Sequence, residues 1–133
     1  MVVREAKPEE QVEMAKVAAA AFFDDKMFGD LIHPHRNEFP DDMHLYWLKR
    51  IYRGWNDPNS HFLVSVSPSG NGGADEVAAW AQWIRKGATA SAAKQMDDLT
   101  ESLQLPLNRA ADPEFEGCLE GSYKSIAHQW SGM

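Results

Sequence analysis

The sequence predicts a mixed α/β (α+β) fold, and three observations carry that expectation. Apolar residues alternate from His61 to Ser67, and a second β-prone run follows from Glu76 to Arg85. A glycine-rich turn joins the two runs into an antiparallel hairpin. Around the hairpin, apolar residues recur at helical spacing in stretches beginning at Val12, Met43 and Phe115. At 133 residues the chain fits one domain. Its five Trp, six Phe and three Tyr supply the apolar area a core needs and argue against disorder.

Val2-Val3-Arg4-Glu5-Ala6 is a short β-prone start. Lys7-Pro8-Glu9-Glu10 then opens a helix. Proline at the first helical position forfeits no needed hydrogen bond, and the two glutamates sit at the positive end of the helix dipole. Val12, Ala15, Ala19 and Phe22 form one apolar stripe, and the small residues Ala18 to Ala21 allow close approach to a sheet. This helix is expected to end near Phe23-Asp24-Asp25. From Lys26 to Asp42, with prolines at 34 and 40, the chain reads as irregular.

Asp41 and Asp42 are placed to cap a second helix, with Met43, Trp47, Ile51 and Trp55 as its stripe. Asn56-Asp57-Pro58-Asn59 stops it. In the first hairpin strand Phe62, Val64 and Val66 share one face, and His61, Ser65 and Ser67 the other. Pro68 to Gly73 is a turn. The second strand carries Val77, Trp80, Trp83 and Ile84; Trp80 and Trp83 have opposite parity and therefore face opposite sides of the sheet.

Beyond Gly87 the composition shifts to Ala, Ser, Lys and Asp. Met96, Leu99 and Leu103 are helically spaced before Pro106. Asp112-Pro113-Glu114 repeats the capping logic, and Phe115, Leu119, Tyr123, Ile126 and Trp130 give the clearest periodicity in the chain. The expected order is β-α-α-β-β-α-α, ending in a helical C-terminal segment.

A net charge of −7 and a pI near 5.1 oppose binding to polyanions, and no Lys/Arg run offsets this, so no nucleic-acid partner is expected. The single cysteine, Cys118, forms no internal disulfide and does not imply an oxidising compartment. The N-terminus lacks the basic-then-apolar layout of a signal peptide. The longest apolar run, Val17 to Phe23, is far short of the roughly 20 residues a spanning helix needs. A cytoplasmic, at least intracellular, protein with no membrane partner is the expectation.

No complete catalytic or cofactor motif is present. The only glycine cluster, Gly70 to Gly73, lies between strands and opens no helix, so its amides are not gathered to cradle a phosphate. There is no G-x-S-x-G elbow, and Cys118 sits among the apolar positions of the last helix, as a structural cysteine does. His33-Pro34-His35 lacks common zinc-site spacing and a third ligand nearby, so loop histidines are expected and no metal. Asp24-Asp25 is less ordinary. Two acids at a helix C-terminus oppose the dipole, and a locally unfavourable placement points toward function.

Several of these segments together resemble the GNAT superfamily of N-acetyltransferases, especially its divergent fungal-type members. They are Val3-Arg4-Glu5-Ala6 leading into Pro8-Glu9-Glu10, and Ala21-Phe22-Phe23-Asp24-Asp25. The Tyr46-Trp47 helix and the strand Val77-Ala78-Ala79-Trp80-Ala81-Gln82-Trp83 complete the set. The likeness covers residues 2–86 well and the remainder loosely, with 88–130 resembling a helical insertion. Lys26 stands where a proline often follows the paired acids.

The family's Q/R-x-x-G-x-G/A loop, whose amides bind acyl-CoA pyrophosphate, is absent from these residues, so no cofactor-binding residue is assigned. The tyrosine that commonly protonates the leaving thiolate lies later in the family, so Tyr46, Tyr52 and Tyr123 do not inherit that role. Acetyl-CoA is the cofactor the resemblance implies, with direct attack of an amine on the thioester. The catalytic base is not identified. Phe23, Asp24, Asp25, Phe28 and Trp83 are the substrate-side candidates; the acids would attract a cationic amine of a small molecule or peptide and the aromatics would desolvate it.

On this reading residues 1–133 form a single partial domain, the N-terminal half of an N-acetyltransferase, inactive alone. A second chain, a second copy or further sequence would then complete the fold. The alternative is a non-catalytic interaction module docking through the apolar C-terminal helix.

Overall fold

The computed structural model describes residues 1–68, 72–73, 75–85 and 104–119. These are mixed α/β, with a three-stranded antiparallel sheet and several helical elements. The described residues divide into two compact units. One comprises those of Met1–Ala21 and His44–Leu107; the other comprises those of Phe22–Met43 and of the segment from Asn108 onward. No helix among the described residues is long and apolar enough to cross a membrane.

The first unit is the sheet with its helices. Strand β1 (Val2–Glu5) leads through a single 3-10 turn at Pro8–Glu10 into α1 (Gln11–Ala21). The entry is a polar knot around Glu10, which is nearly buried. Its carboxylate accepts from the Lys7 amide at 2.8 Å and from both terminal nitrogens of Arg4 at 2.9 and 2.8 Å. Beyond complementing the dipole, then, Glu10 reaches back to close the turn, as a glutamate three residues into a helix does.

Helix α1 turns a different stripe inward from the expected one. Met14, Ala15 and Ala18 are buried, whereas Val12 and Phe22 are exposed and only Ala15 is common to both sets. Alanines provide apolar positions nearly all round this helix, so periodicity leaves its inner face undetermined.

Helix α2 (His44–Trp55) follows its pattern closely. Trp47 and Ile51 are buried on it, and Met43 is buried just ahead of it. Its C-terminal turn presses on the sheet at Gly54, where a Cβ would lie 2.5 Å from Gln82 Nε2 and 2.8 Å from Phe62 Cζ. Only a residue without a side chain fits that approach. Trp55 stacks on Phe62 at 5.3 Å, and Phe62 meets Trp80 at 6.0 Å.

Strands β2 (Ser60–Ser67) and β3 (Glu76–Ile84) form the expected antiparallel hairpin, and β1 pairs with the other side of β2. The order is β1-β2-β3. Phe62, Val64 and Val66 are buried on one face. The register steps from Ser65↔Ala79 to Val66↔Val77, leaving Ala78 as an extra residue in β3. This bulge puts Val77 on the face that also carries Trp80 despite their opposite parity. Trp80 Nε1 donates to the Met14 carbonyl at 2.7 Å, tying β3 to α1.

In the second unit the stretch expected to be irregular contains a helical turn at Lys26–Leu31, of the wide π type. Asp30 N donates to Asp25 O at 3.1 Å and Ile32 N to Met27 O at 2.9 Å, each a five-residue step. Gly29 is needed there because a Cβ would collide with the Phe23 carbonyl. The expected helix at Met96–Leu103 lies outside the described residues. Of the last expected helix only its start is described. Asp112 Oδ1 accepts from the Glu114 amide at 2.9 Å, and Asp112 O accepts from Phe115 N and Glu116 N. Asp112 thus acts as the cap its position predicts.

Candidate functional site

Four of the five substrate-side candidates, Phe23, Asp24, Asp25 and Phe28, fall in one short stretch of the second unit; Trp83 belongs to the first. The stretch takes its shape from Asp25. Its Oδ1 accepts from Met27 N and Phe28 N, both at 2.9 Å, so Asp25 is the N-cap of the Lys26–Leu31 turn. Because α1 ends at Ala21, the paired acids do not oppose its dipole from within its last turn. Asp25 faces the positive end of the next turn, a locally favourable position. The electrostatic oddity that singled out this pair is thereby removed, and Asp25 has a local structural role.

Asp24 is exposed. Phe28 is half-buried, with its ring 4.9 Å from that of Phe22. Phe23 is half-buried, and the Arg36 guanidinium lies 5.4 Å over its ring. Arg36 also donates to Asp30 at 2.6 Å and to the His33 carbonyl at 3.3 Å. The stretch thus carries two exposed acids, Asp24 and Asp25, next in sequence to the half-buried rings of Phe23 and Phe28.

Trp83 stands opposite His61, away from the buried face of the sheet, and is 64% exposed. The parity argument therefore holds: Trp80 turns toward the helices and Trp83 outward. Val3 and Ile84 are exposed large apolar residues on the same sheet.

The most constrained polar group is one that sequence reasoning placed in a loop. His33 is completely buried. Its Nδ1 lies 2.6 Å from the Phe28 carbonyl, which only accepts, so Nδ1 carries the proton. Its Nε2 lies 3.1 Å from Asn108 Nδ2 and accepts from it. Asn108 Oδ1 meanwhile accepts from Ala110 N at 3.2 Å, which orients the amide. Burial holds the imidazole below its ordinary pKa of 6.5; the Phe28 bond and the Glu116 charge act the other way, and Arg36 adds to the lowering. At neutral pH His33 is uncharged.

The same two segments meet again through Asp42 and Arg109. The nearly buried Asp42 carboxylate accepts from Arg109 N at 3.0 Å, Nε at 2.7 Å and Nη2 at 3.1 Å. The guanidinium also lies 4.5 Å over the Phe39 ring. Main-chain bonds complete the joint: His35 N donates to Ala110 O at 3.1 Å, and Asp112 N to Ile32 O at 2.8 Å. The sequence marks Asp42 as a helix cap and gives Arg109 no role. Their pairing has no sequence signal, since 67 positions separate them.

Among the described residues no group of three or more His, Cys, Asp or Glu side chains is placed to hold a metal. His35 is exposed, with Nδ1 4.0 Å from Glu38 Oε1. Gly72, with φ +72°, is the one described residue of positive φ, and it lies in the hairpin connection. Compared with known protein families, with curated proteins and with solved structures, the chain shows no significant match.

Proposed function

We propose that this chain is the substrate-side part of an N-acetyltransferase of the GNAT type, acting on an amine with acetyl-CoA as donor. The observation that carries the reading is the element order. An opening strand, two helices and an antiparallel pair occur in that sequence, in a sheet ordered β1-β2-β3. The outer edge of β3 pairs with no strand among the described residues, which leaves a place for the strand that would bring the acyl-CoA loop. That segment would come from further sequence, a second chain or a second copy.

Within this reading Asp24 is the acid best placed to attract an ammonium group, because Asp25 is engaged as a cap. Phe23 and Phe28, in the same short stretch, would supply apolar walls. The chain's own residues would bind and orient the amine. The completing segment would hold the thioester and supply the backbone donors for the oxyanion.

Calorimetric titration with acetyl-CoA tests the claim that the cofactor segment lies elsewhere: no saturable binding is expected, and micromolar binding would overturn it. Reading the coding sequence past codon 133 tests the family, with a Q/R-x-x-G-x-G/A segment as the expected finding. If no such segment follows, and neither a second copy nor a partner confers acetyl-CoA binding, the acetyltransferase reading falls.

A second reading, a non-catalytic interaction module, draws on the outward sheet face, where Val3 and Trp83 are exposed. Its original support, the apolar helix through Trp130, lies outside the described residues beyond Leu119. Sedimentation as a stable monomer with no binding of hydrophobic dye would remove it.

A further inference from the structure

We infer that the outer edge of β3 pairs with the same edge of a second copy of this chain, antiparallel, about a two-fold axis at Gln82. The pairing needs no acetyltransferase assignment, although a completing strand would compete for the same edge. The direction of the main-chain groups sets it up. Ala6 N donates to Phe62 O at 3.0 Å, so the even-numbered residues of β2 bond toward β1. Arg85 N donates to Asn59 O at 2.8 Å, and the odd-numbered ones bond toward β3. Ala79, Ala81 and Trp83, which face Ser65, Leu63 and His61, therefore bond inward. Trp80, Gln82 and Ile84 turn their N–H and C=O groups to the outer edge, where no strand pairs with them among the described residues.

One end of that edge is closed. Beyond the bulge Val77 also points outward, and its N–H donates to Glu13 Oε1 at 2.9 Å. From Trp80 to Ile84, by contrast, the strand has neither a proline nor a charge, the usual devices against edge-to-edge pairing.

The side chains name the occupant. With Gln82 facing its own counterpart, Trp80 faces Ile84 of the second copy and Ile84 faces its Trp80. Each facing pair exchanges both its main-chain hydrogen bonds. Ile84, 61% exposed in the single chain, then packs against an indole on the inner face. On the outer face Trp83, 64% exposed, lies over Ala81 of the second copy, which is small enough to admit it.

The charges match as well. Arg85 comes opposite Ala79 of the second copy, whose next neighbour on that face, across the bulge, is Glu76. Such a diagonal is about 7–8 Å, within reach of a long side chain. Symmetry makes the contact twice. The bulge itself brings Glu76, which faces Ser67, onto the face that carries Trp83 and Arg85. An unrelated strand would have no cause to match Trp with Ala, Ile with Trp and Arg with Glu at once. So short a junction makes a reversible pair, with a dissociation constant in about the micromolar range.

Sedimentation equilibrium of the whole chain, from about 1 to about 500 μM, tests the pairing. A monomer–dimer equilibrium is expected, weakened about tenfold or more by Ile84→Lys. Glu76→Arg and Arg85→Glu are each expected to weaken it, and the double variant to restore it. Hydrogen exchange reads the register: the amides of Trp80, Gln82 and Ile84 gain protection with concentration, and Val77 does not. A chain that stays monomeric throughout overturns the proposal. So does a dimer indifferent to Ile84→Lys, or a double charge variant without rescue. Full protection of the three amides already in the monomer overturns it too, because another segment of the chain would then hold the edge. Should Ile84→Lys fail to fold, exchange and the charge variants, both at exposed positions, decide the matter.

Discussion

The sheet unit closes around Met14, Ile51, Val64 and Val66, whereas the unit of Phe22–Met43 and residues 108–119 buries the polar groups His33 and Asp42 as well as Ile32 and Met43. Apolar burial is non-directional and indifferent to pH, and it sums over many small contacts. A buried polar joint is directional, depends on every member being satisfied, and changes with protonation. Two regions of one chain thus respond to different perturbations. The lesson is that a stretch without hydrophobic periodicity can still be closely specified, by a few buried polar groups bonded to residues distant in the chain.

The comparison breaks most sharply at Ile51. Ile51→Ala is expected to destabilise the sheet unit by about 2–5 kcal/mol, through lost transfer energy and a residual cavity. Urea unfolding followed by tryptophan fluorescence measures it. Gly54→Ala comes next, at about 1–3 kcal/mol, because the new methyl meets Phe62 and Gln82. A rise in stability for that variant would show that α2 retreats from the sheet without cost.

In the polar unit, Asp42→Ala strips the Arg109 amide of its acceptor and is expected to cost about 1–3 kcal/mol. Exchange at Asp112 should report it locally. Equal loss of protection across β2 would contradict the separate character of the two units.

The pH dependence then separates the units along one axis. The folded pKa of His33 is lowered, so its contribution is complete above the unfolded value of 6.5 and is lost as pH falls below that toward the folded value. Glu10 is also lowered, chiefly by the Arg4 hydrogen bonds. Its contribution is complete above 4.5 and is lost as pH falls through its folded value. Acid titration monitored by exchange should therefore loosen the His33–Asn108 contact before the Arg4–Glu10 knot. The reverse order would refute the assignment of either group. Smallest of all, Trp83→Ser should change stability by no more than about 0.5 kcal/mol, since Trp83 is exposed. Circular-dichroism melting checks this.

Much of the sheet unit was legible in advance. The alternation through Phe62, Val64 and Val66, the stripe of Trp47 and Ile51, and the entry at Pro8 all hold. Less of the candidate site could be read. Asp24 and Asp25 stand out in the sequence as two acids just past the expected end of α1; its end at Ala21 and the capping of the next turn by Asp25 remove that oddity. His33 read as a loop histidine because its neighbours are prolines and charges, and nothing local says that Asn108, 75 positions on, will meet it.

The sequence by itself determined the elements whose side chains repeat with the backbone: β2, β3, α2 and the turn that starts α1. Their period is set by covalent geometry over a few residues, so it is written in consecutive letters. Tertiary structure alone decided which side of the alanine-rich α1 is buried, where the bulge falls in β3, and which distant residues satisfy His33 and Asp42. Those outcomes depend on contacts between segments far apart in the chain, where one buried polar group selects its partner by geometry and leaves no periodic trace.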